Sequence, residues 1–275
     1  MYIIEDLLID RALRGTMTDK GTGEVIFTID QVKDPSLECS GETVYSTDAV
    51  GSKIAAFNRS KDATLSGANA IINFGMMAAQ LGSDKTLATA DKKITVPKFQ
   101  IIQPVESGGV KKLNLKKVPV GAAGAEIKYI YALHNGRSIA KKYEVGATGA
   151  TQFTVNAASK TIILPTSAEI TEKTYFGVWY NYEADGSAGN GAVEISNRAD
   201  AFAKGGVFDL EVLFVNPCNP NEKIYGHILF GNAKMQDNLT LNISNEAEHG
   251  FTVECMQDYC NPDRQLFTMI IPEAE

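Results

Sequence analysis

Short runs in which apolar and polar residues alternate recur along the chain. Residues 175–182, 207–214 and 238–244 all show this pattern. Alternation with period two places every second side chain on one face of a β-strand, so each run predicts a strand with one buried face. Gly, Asn and Asp separate the runs roughly every 8–15 residues, which is typical of sandwiches and barrels. The pattern predicts a mostly β fold, an antiparallel β-sandwich or barrel.

One stretch has a different pattern and predicts a single flanking α-helix at about residues 66–82. It is rich in Ala and Met, Ser66 can cap its start, and Gly82 can end it. Four apolar residues at helical spacing would form its buried face: Ile71, Phe74, Ala78 and Leu81.

The charge balance limits the classes of partner. The 275 residues include 26 Lys and Arg against 33 Asp and Glu, a formal net charge of −7. This argues against a surface that grips phosphate backbones, although nucleic acid could slide past it. Glu5 and Asp6 interrupt the N-terminal apolar run and no basic residue precedes it, so we expect no signal peptide and synthesis in a cytoplasm. No stretch reaches the ~20 apolar residues of a membrane helix, so we expect no membrane partner.

The sequence offers little material for catalysis. It contains three His and four Cys, with no phosphate-binding glycine motif, zincin spacing or nucleophile elbow. We therefore predict no catalytic, cofactor-binding or metal-binding residues and no enzyme activity. Asp258 and Asp263 could bind a cation weakly, but a polar turn is the simpler interpretation. Trp179 is more often a buried sandwich-core residue than an exposed glycan contact.

Several segments, taken in order, carry a resemblance to a known family. Strands precede 46–51 (STDAVG) and 60–67 (SKDATLSG), which lead into the Ala/Met helix, and long alternating strands return before 267–272 (FTMIIP). In these features the chain resembles bacteriophage tail tube (major tail) proteins. The resemblance implies a β-sandwich or barrel flanked by one helix, in hexameric rings that stack into a hollow tube.

The same resemblance implies partners and location. The subunits would contact each other and other tail proteins in the virion tail, and DNA would pass through the lumen without sequence-specific binding. An acidic lumen would repel phosphates and so ease passage. The family has no catalytic residues, so none are transferred to this chain.

The resemblance covers residues 1–95 and 200–275, which would form the tail-tube core. Residues 96–199 are more than the simplest members need, and they resemble an inserted β-sandwich of immunoglobulin type on the outside of the tube. The alternative is that they form long strands of one sandwich.

Two groups of apolar residues are predicted to contact neighbouring subunits. We expect the N-terminal segment to dock on a neighbouring subunit through Ile3, Ile4, Leu7 and Leu8. Met76 and Met77 could form a second contact, although core packing is the alternative.

Three other functions stay open at this point. A capsid decoration or head–tail connector protein would form trimers or a ring that does not stack. A carbohydrate-binding β-sandwich would be a monomer that exposes Trp179. A glycoside hydrolase would need a cleft with two facing carboxylates.

Overall fold

A computed structural model describes residues 6–147, 151–242, 244, 248–259 and 261–272. Strands account for 56% of the chain and helix for 3%, and the sheets are antiparallel apart from one short pairing. The predicted mostly β class is therefore confirmed. The chain forms two compact units, which we call the terminal unit (Met1–Lys85 with Ile195–Glu275) and the internal unit (Thr86–Glu194). The division predicted at 95/96 and 199/200, and the immunoglobulin type of the insert, stay predictions.

The elements follow one another in this order. The first part of the terminal unit contains β1 (Leu8–Thr18), β2 (Val25–Ile29), β3 (Val32–Thr47), β4 (Lys53–Asn69) and α1 (Phe74–Gln80). The internal unit contains β5 (Thr86–Leu87), β6 (Ile94–Ile102), β7 (Val105–Ser107), β8 (Val110–Asn114), β9 (Tyr129–His134), β10 (Ser138–Val145), β11 (Gln152–Asn156), β12 (Thr161–Ile163), β13 (Tyr175–Ala184) and β14 (Val193–Glu194). The last part contains β15 (Gly205–Asn216), β16 (Asn219–Met235), β17 (Thr240–Leu241), β18 (His249–Cys255) and β19 (Thr268–Ile270).

The terminal unit is built on one sheet with the order β2-β1-β15-β16-β18-β4-β3, to which β17 and β19 add at β18 and β16. Strand alternation gives this sheet one apolar face, where Phe208, Phe230 and Phe251 pack together. Helix α1 contributes Met76 and Ala79 to the same core. Burial of such side chains, at about 25 cal/mol per Å² of apolar surface, is the main stabilising contribution to this fold.

The helix begins later than its sequence predicts. Residues 66–69 continue strand β4 and pair with both β3 and β18, so Ser66 lies in the sheet and does not cap the helix. Asn73 is the N-cap, and its Oδ1 accepts a hydrogen bond from the backbone N–H of Met76 at 2.9 Å. Pairing on both edges of β4 outweighs the helix propensity of these residues, which is a weak preference.

The buried face of the helix also differs from the predicted one. Ile71 and Phe74 are more than half exposed, whereas Met76, Ala78, Ala79 and Gln80 are buried. Of the predicted face, only Ala78 is therefore fully buried. The late start of the helix is the physical reason, because Ile71 lies before the first helical turn.

The internal unit contains one eight-stranded sheet with the order β6-β13-β9-β10-β11-β12-β8-β7. Its two halves meet at a parallel pairing between β10 and β11, and both halves send side chains into one core. Phe153 and Ile162 come from one half, and Phe176 and Val178 come from the other. Packing of two halves of a sheet across a shared core is the arrangement of a β-sandwich.

One local prediction in the internal unit is wrong. Trp179 is 47% exposed and lies on the outer side of β13, because Phe176, Val178 and Tyr180 take the inward positions. The Gly/Ser stretch 184–191 is a loop whose side-chain hydrogen bonds converge on Asp185. Oδ1 of Asp185 accepts from Ser187 and Asn190, and these bonds lower the pKa of Asp185 to about 2.

Candidate assembly surfaces

The longest exposed feature of the terminal unit is the outer part of the β3–β4 hairpin. Strand β18 pairs with β4 only from Ala63 to Asn69, so, among the described residues, residues 40–62 pair only with each other; we call them the hairpin arm. None of the 23 arm residues is buried. At about 3.3 Å per residue, the eight residues of 40–47 extend about 25 Å.

The hairpin arm carries large apolar side chains in solvent. Val50 is 90% exposed, Ile54 68% and Phe57 58%. The ring of Tyr45 is also exposed, and Nζ of Lys53 lies 3.6 Å from its centroid. Isolated two-stranded hairpins are at best marginally stable in water, and exposed apolar patches mark interaction sites. The arm therefore has the properties of a segment that is completed by contact with another chain.

A second open surface lies at the start of β1. Strand β2 pairs with β1 only from Gly15 to Thr18, so within the described residues the segment 8–14 has a partner strand on one edge alone, β15. Leu8 and Ile9 on this segment are 59% and 64% exposed. Unpaired strand edges with apolar side chains are templates for pairing with another chain.

The structure places the predicted contact residues in different environments. Ile3 and Ile4 lie outside the described residues. Leu7 is partly buried against the core, and Leu8 is exposed. Met76 is fully buried, which matches the core-packing alternative and leaves it no surface to present, and its neighbour Met77 is half-buried. An interface role for Leu7, Leu8 and Met77 stays a prediction.

Helix α1 is attached to β18 through a buried polar network that no sequence motif signals. Nε2 of His249 lies 2.7 Å from Oε1 of Gln80, and Nδ1 of His249 accepts from the backbone N–H of Asn73 at 3.4 Å. Nε2 of Gln80 in turn donates to the carbonyl of Gly250 at 2.9 Å. Burial lowers the pKa of His249 to about 4 and keeps the ring neutral, so that it donates at Nε2 and accepts at Nδ1.

The opposite side of β15 carries two charged residues among the apolar residues Val207, Leu213 and Val215. Asp209 and Glu211 alternate with the buried residues of β15, and both oxygens of Asp209 lie 3.1 Å from Nδ1 of His227. Glu211 is in register with Arg14 on one side and His227 on the other. The charged side chains on this face are therefore partly exposed and are not part of the hydrophobic core.

Charge is divided unequally between the two units. The terminal unit contains thirteen Lys and Arg against twenty-four Asp and Glu, a net charge of −11. The internal unit contains thirteen against nine, a net charge of +4. The acidic character of the chain thus belongs entirely to the terminal unit.

The contacts described for the histidines and for Asp258 are hydrogen bonds and ion pairs within the fold. His227 and His249 have the partners given above, and His134 lies at the exposed end of β9. Asp258 forms an ion pair with Lys20 at 2.8 Å. No group of three His, Cys, Asp or Glu side chains in the described parts of the chain is placed to hold a metal ion. Within the same residues, no helix has the length and apolarity needed to cross a bilayer.

Exposed apolar side chains on a long hairpin arm and an open strand edge are features of proteins that assemble with other chains. The comparison with protein families makes this specific: the model of the YomU/Tube protein family matches residues 8–264. Because this match spans most of the chain, the protein belongs to that family, and the resemblance to phage tail tube proteins is confirmed. No curated protein matches the chain.

Proposed function

We propose that this protein is the subunit of a phage tail tube in which hexameric rings stack around a channel for the genome. Membership of the YomU/Tube family supports a structural role in the virion tail. The single observation that carries the finer proposal is the hairpin arm, which has no buried residue and exposes the apolar side chains of Val50, Ile54 and Phe57. The arm docks on a neighbouring subunit and there gains the packing that it lacks alone.

Two further surfaces fit the proposal. The open edge of β1 allows the sheet of one subunit to continue into the next, and a closed ring of subunits leaves no strand edge unpaired. The N-terminal apolar residues, including Leu7 and Leu8, add a contact beside that edge.

The charged residues on the outer side of β15 fit the lining of the channel. Asp209 and Glu211 project from this side, and the terminal unit has a net charge of −11. An acidic wall repels DNA phosphates and so prevents the genome from adhering during passage. DNA would therefore be conducted without being bound in a sequence-specific manner.

The experiment is negative-stain electron microscopy of the purified full chain over a range of concentrations. We expect hollow tubes or stacked rings with six-fold symmetry and a channel wide enough for duplex DNA. The double variant I54S/F57S should need at least a tenfold higher concentration to assemble, because it removes the apolar contacts of the arm. The matched control is V105S, which changes an exposed apolar residue of the internal unit.

Three results would contradict the proposal. Dispersed monomers at every concentration would argue against self-assembly, and trimers or rings that never stack would favour a decoration or connector protein. Equal assembly of I54S/F57S and the wild type would show that the arm is not the contact.

A further inference from the structure

The outer side of the four strands β6, β13, β9 and β10 in the internal unit exposes a continuous group of large apolar side chains. The alternate positions on these strands face the core, where Ile130, Phe176 and Val178 are fully buried. We call the outward group the aromatic face; it consists of Phe99, Tyr129, Tyr131, Ile139 and Trp179. Exposed patches of this kind mark ligand or partner sites in soluble proteins.

The rings of the aromatic face hold each other in place. Phe99 is opposite Trp179 in the strand register, and their centroids are 4.3 Å apart with an interplanar angle of 26°. Tyr131 meets Trp179 edge-on at 5.6 Å and 85°. Such pairs contribute about 0.5–1.5 kcal/mol beyond the burial of their area. The rings are therefore pre-organised, and little side-chain entropy is lost when a ligand contacts them.

Gly177 makes this arrangement possible. It lies two positions before Trp179 on the same side of β13. A Cβ at this position would come 3.0 Å from the Trp179 ring and 3.3 Å from the Phe99 ring. Because glycine has no side chain, the two rings lean over the strand and stack in this position.

Positive charge lies beside the rings. A shallow depression of about 390 Å³ is bounded by Tyr129, Tyr131, Ile139, Trp179 and Lys128, and Lys128 is the one charged residue among these five. Nζ of Lys142 lies 4.8 Å from the Tyr129 centroid, while it also pairs with Glu144 at 2.8 Å. The whole internal unit has a net charge of +4, against −11 for the terminal unit. The face therefore combines aromatic rings with a cationic setting.

We propose that the aromatic face binds an anionic polysaccharide, with sugar rings against Phe99, Tyr131 and Trp179 and a carboxylate on Lys128. Pyranose rings have apolar C–H faces that pack on aromatic side chains, and a shallow open depression suits a polymer that enters from the side. The positive charge selects chains that carry uronate groups. A contact between the aromatic faces of two copies is disfavoured, because both copies bring a unit with a net charge of +4. This inference does not rest on ring assembly, which uses surfaces of the terminal unit.

The test uses Trp179 as its own probe, because it is the one tryptophan in the sequence. The full chain is titrated with polygalacturonate or hyaluronate, and the Trp emission is recorded; dextran is the neutral control. We expect a saturable emission change with the two uronate polymers and none with dextran. The affinity should fall as NaCl is raised, because added salt screens the contact with Lys128.

Variants locate the site. We expect F99A and Y131A to weaken binding at least tenfold, and K128Q to weaken it about threefold. The matched controls are K173Q, an exposed lysine of the same unit, and Y259A, an exposed aromatic of the terminal unit; both should bind as the wild type does. W179A has no tryptophan, so affinity electrophoresis in a polygalacturonate gel is used for it.

Three outcomes would overturn the proposal. The first is the absence of any emission change or gel retardation with the uronate polymers. The second is equal binding of dextran. The third is an emission change that depends on the protein concentration and not on the polymer, together with a lower sedimentation coefficient for W179A than for the wild type. That result would assign the aromatic face to a contact between copies of the chain. Electron microscopy of the same samples reports tube assembly separately, so a failure of one proposal is distinguishable from a failure of the other.

Discussion

Nε2 of His249 lies 2.7 Å from Oε1 of Gln80, although 169 positions separate the two residues in the chain. This contact fixes helix α1 to strand β18 at the point where β18 also pairs with β4. The ring is buried and has no charged partner among the described residues, and its pKa is lowered to about 4 by burial. Stability of the terminal unit should therefore depend on the charge state of His249.

We predict that mild acid destabilises the protein through this histidine. The pKa of His249 is about 4 when folded and rises to about 6.5 when unfolded, so the unfolded chain takes up the proton first. The contribution of the neutral ring is fully present above pH 6.5 and is lost progressively as the pH falls toward 4. At pH 5 the loss is about 2 kcal/mol, from about 1.36 kcal/mol per pKa unit.

Urea unfolding at pH 7.5 and pH 5 measures this loss. The control is H249Q, which cannot be protonated and should lose about 2 kcal/mol less than the wild type between the two pH values. An identical pH dependence of H249Q and the wild type would show that carboxylates elsewhere are responsible.

The true N-cap of the helix can be identified by substitution. We predict that N73A lowers the free energy of unfolding by about 1–2 kcal/mol, because Asn73 caps Met76 and its Nδ2 also donates to the carbonyl of Thr28 at 2.9 Å. S66A should change stability by less than about 0.5 kcal/mol, because Ser66 lies in β4. Chemical denaturation measures the free energy of unfolding of both variants. A larger loss of stability in S66A than in N73A would contradict the observed start of the helix.

Met76 and Met77 should behave differently although they are adjacent. M76A should lower the free energy of unfolding by about 2–4 kcal/mol, because it removes a fully buried side chain from the core. M77A, at a half-buried position, should cost less than about 1 kcal/mol. Thermal unfolding of the two variants tests this; a stable M76A would mean that the position is not in the core.

Gly82 ends the helix in a conformation that suits only glycine. Its φ is +61°, and a Cβ there would overlap the backbone of Phe202. G82A should therefore cost more than about 2 kcal/mol or prevent folding. G191A is the matched control, since a Cβ at Gly191 meets nothing within 4 Å. Expression as soluble protein and circular dichroism compare the two, and a fully stable G82A would refute the close approach.

The open edge of β1 should matter for assembly and not for the fold. We predict that L8S/I9S keeps the wild-type melting temperature within about 2 °C, because both side chains are exposed, and that it forms shorter or fewer tubes. L7A is the comparison, because Leu7 packs against the core and its loss should lower the melting temperature. Normal tubes from L8S/I9S, or from a chain that lacks residues 1–9, would exclude this edge as a contact.

The local pattern of the sequence determined the class of fold and most of the strands. The alternation of Asp209 and Glu211 with buried apolar neighbours is visible in the sequence and recurs in the structure as the two faces of β15. Strand alternation is predictable because each side chain's face depends only on its position along its own strand. The order of segments likewise sufficed to recognise the tail tube family.

Tertiary structure decided the features that depend on distant partners. Residues 66–69 are strand and not helix because β3 and β18 pair with them, and the local sequence carries no sign of either neighbour. His249 and Gln80 became one site only through the packing of α1 on the sheet. Both sides of β13 carry aromatic residues, so its sequence does not show which side faces the core. Packing of the internal unit turned the side with Trp179 outward. Local propensities amount to tenths of a kcal/mol per residue, and pairing and burial between distant segments outweigh them.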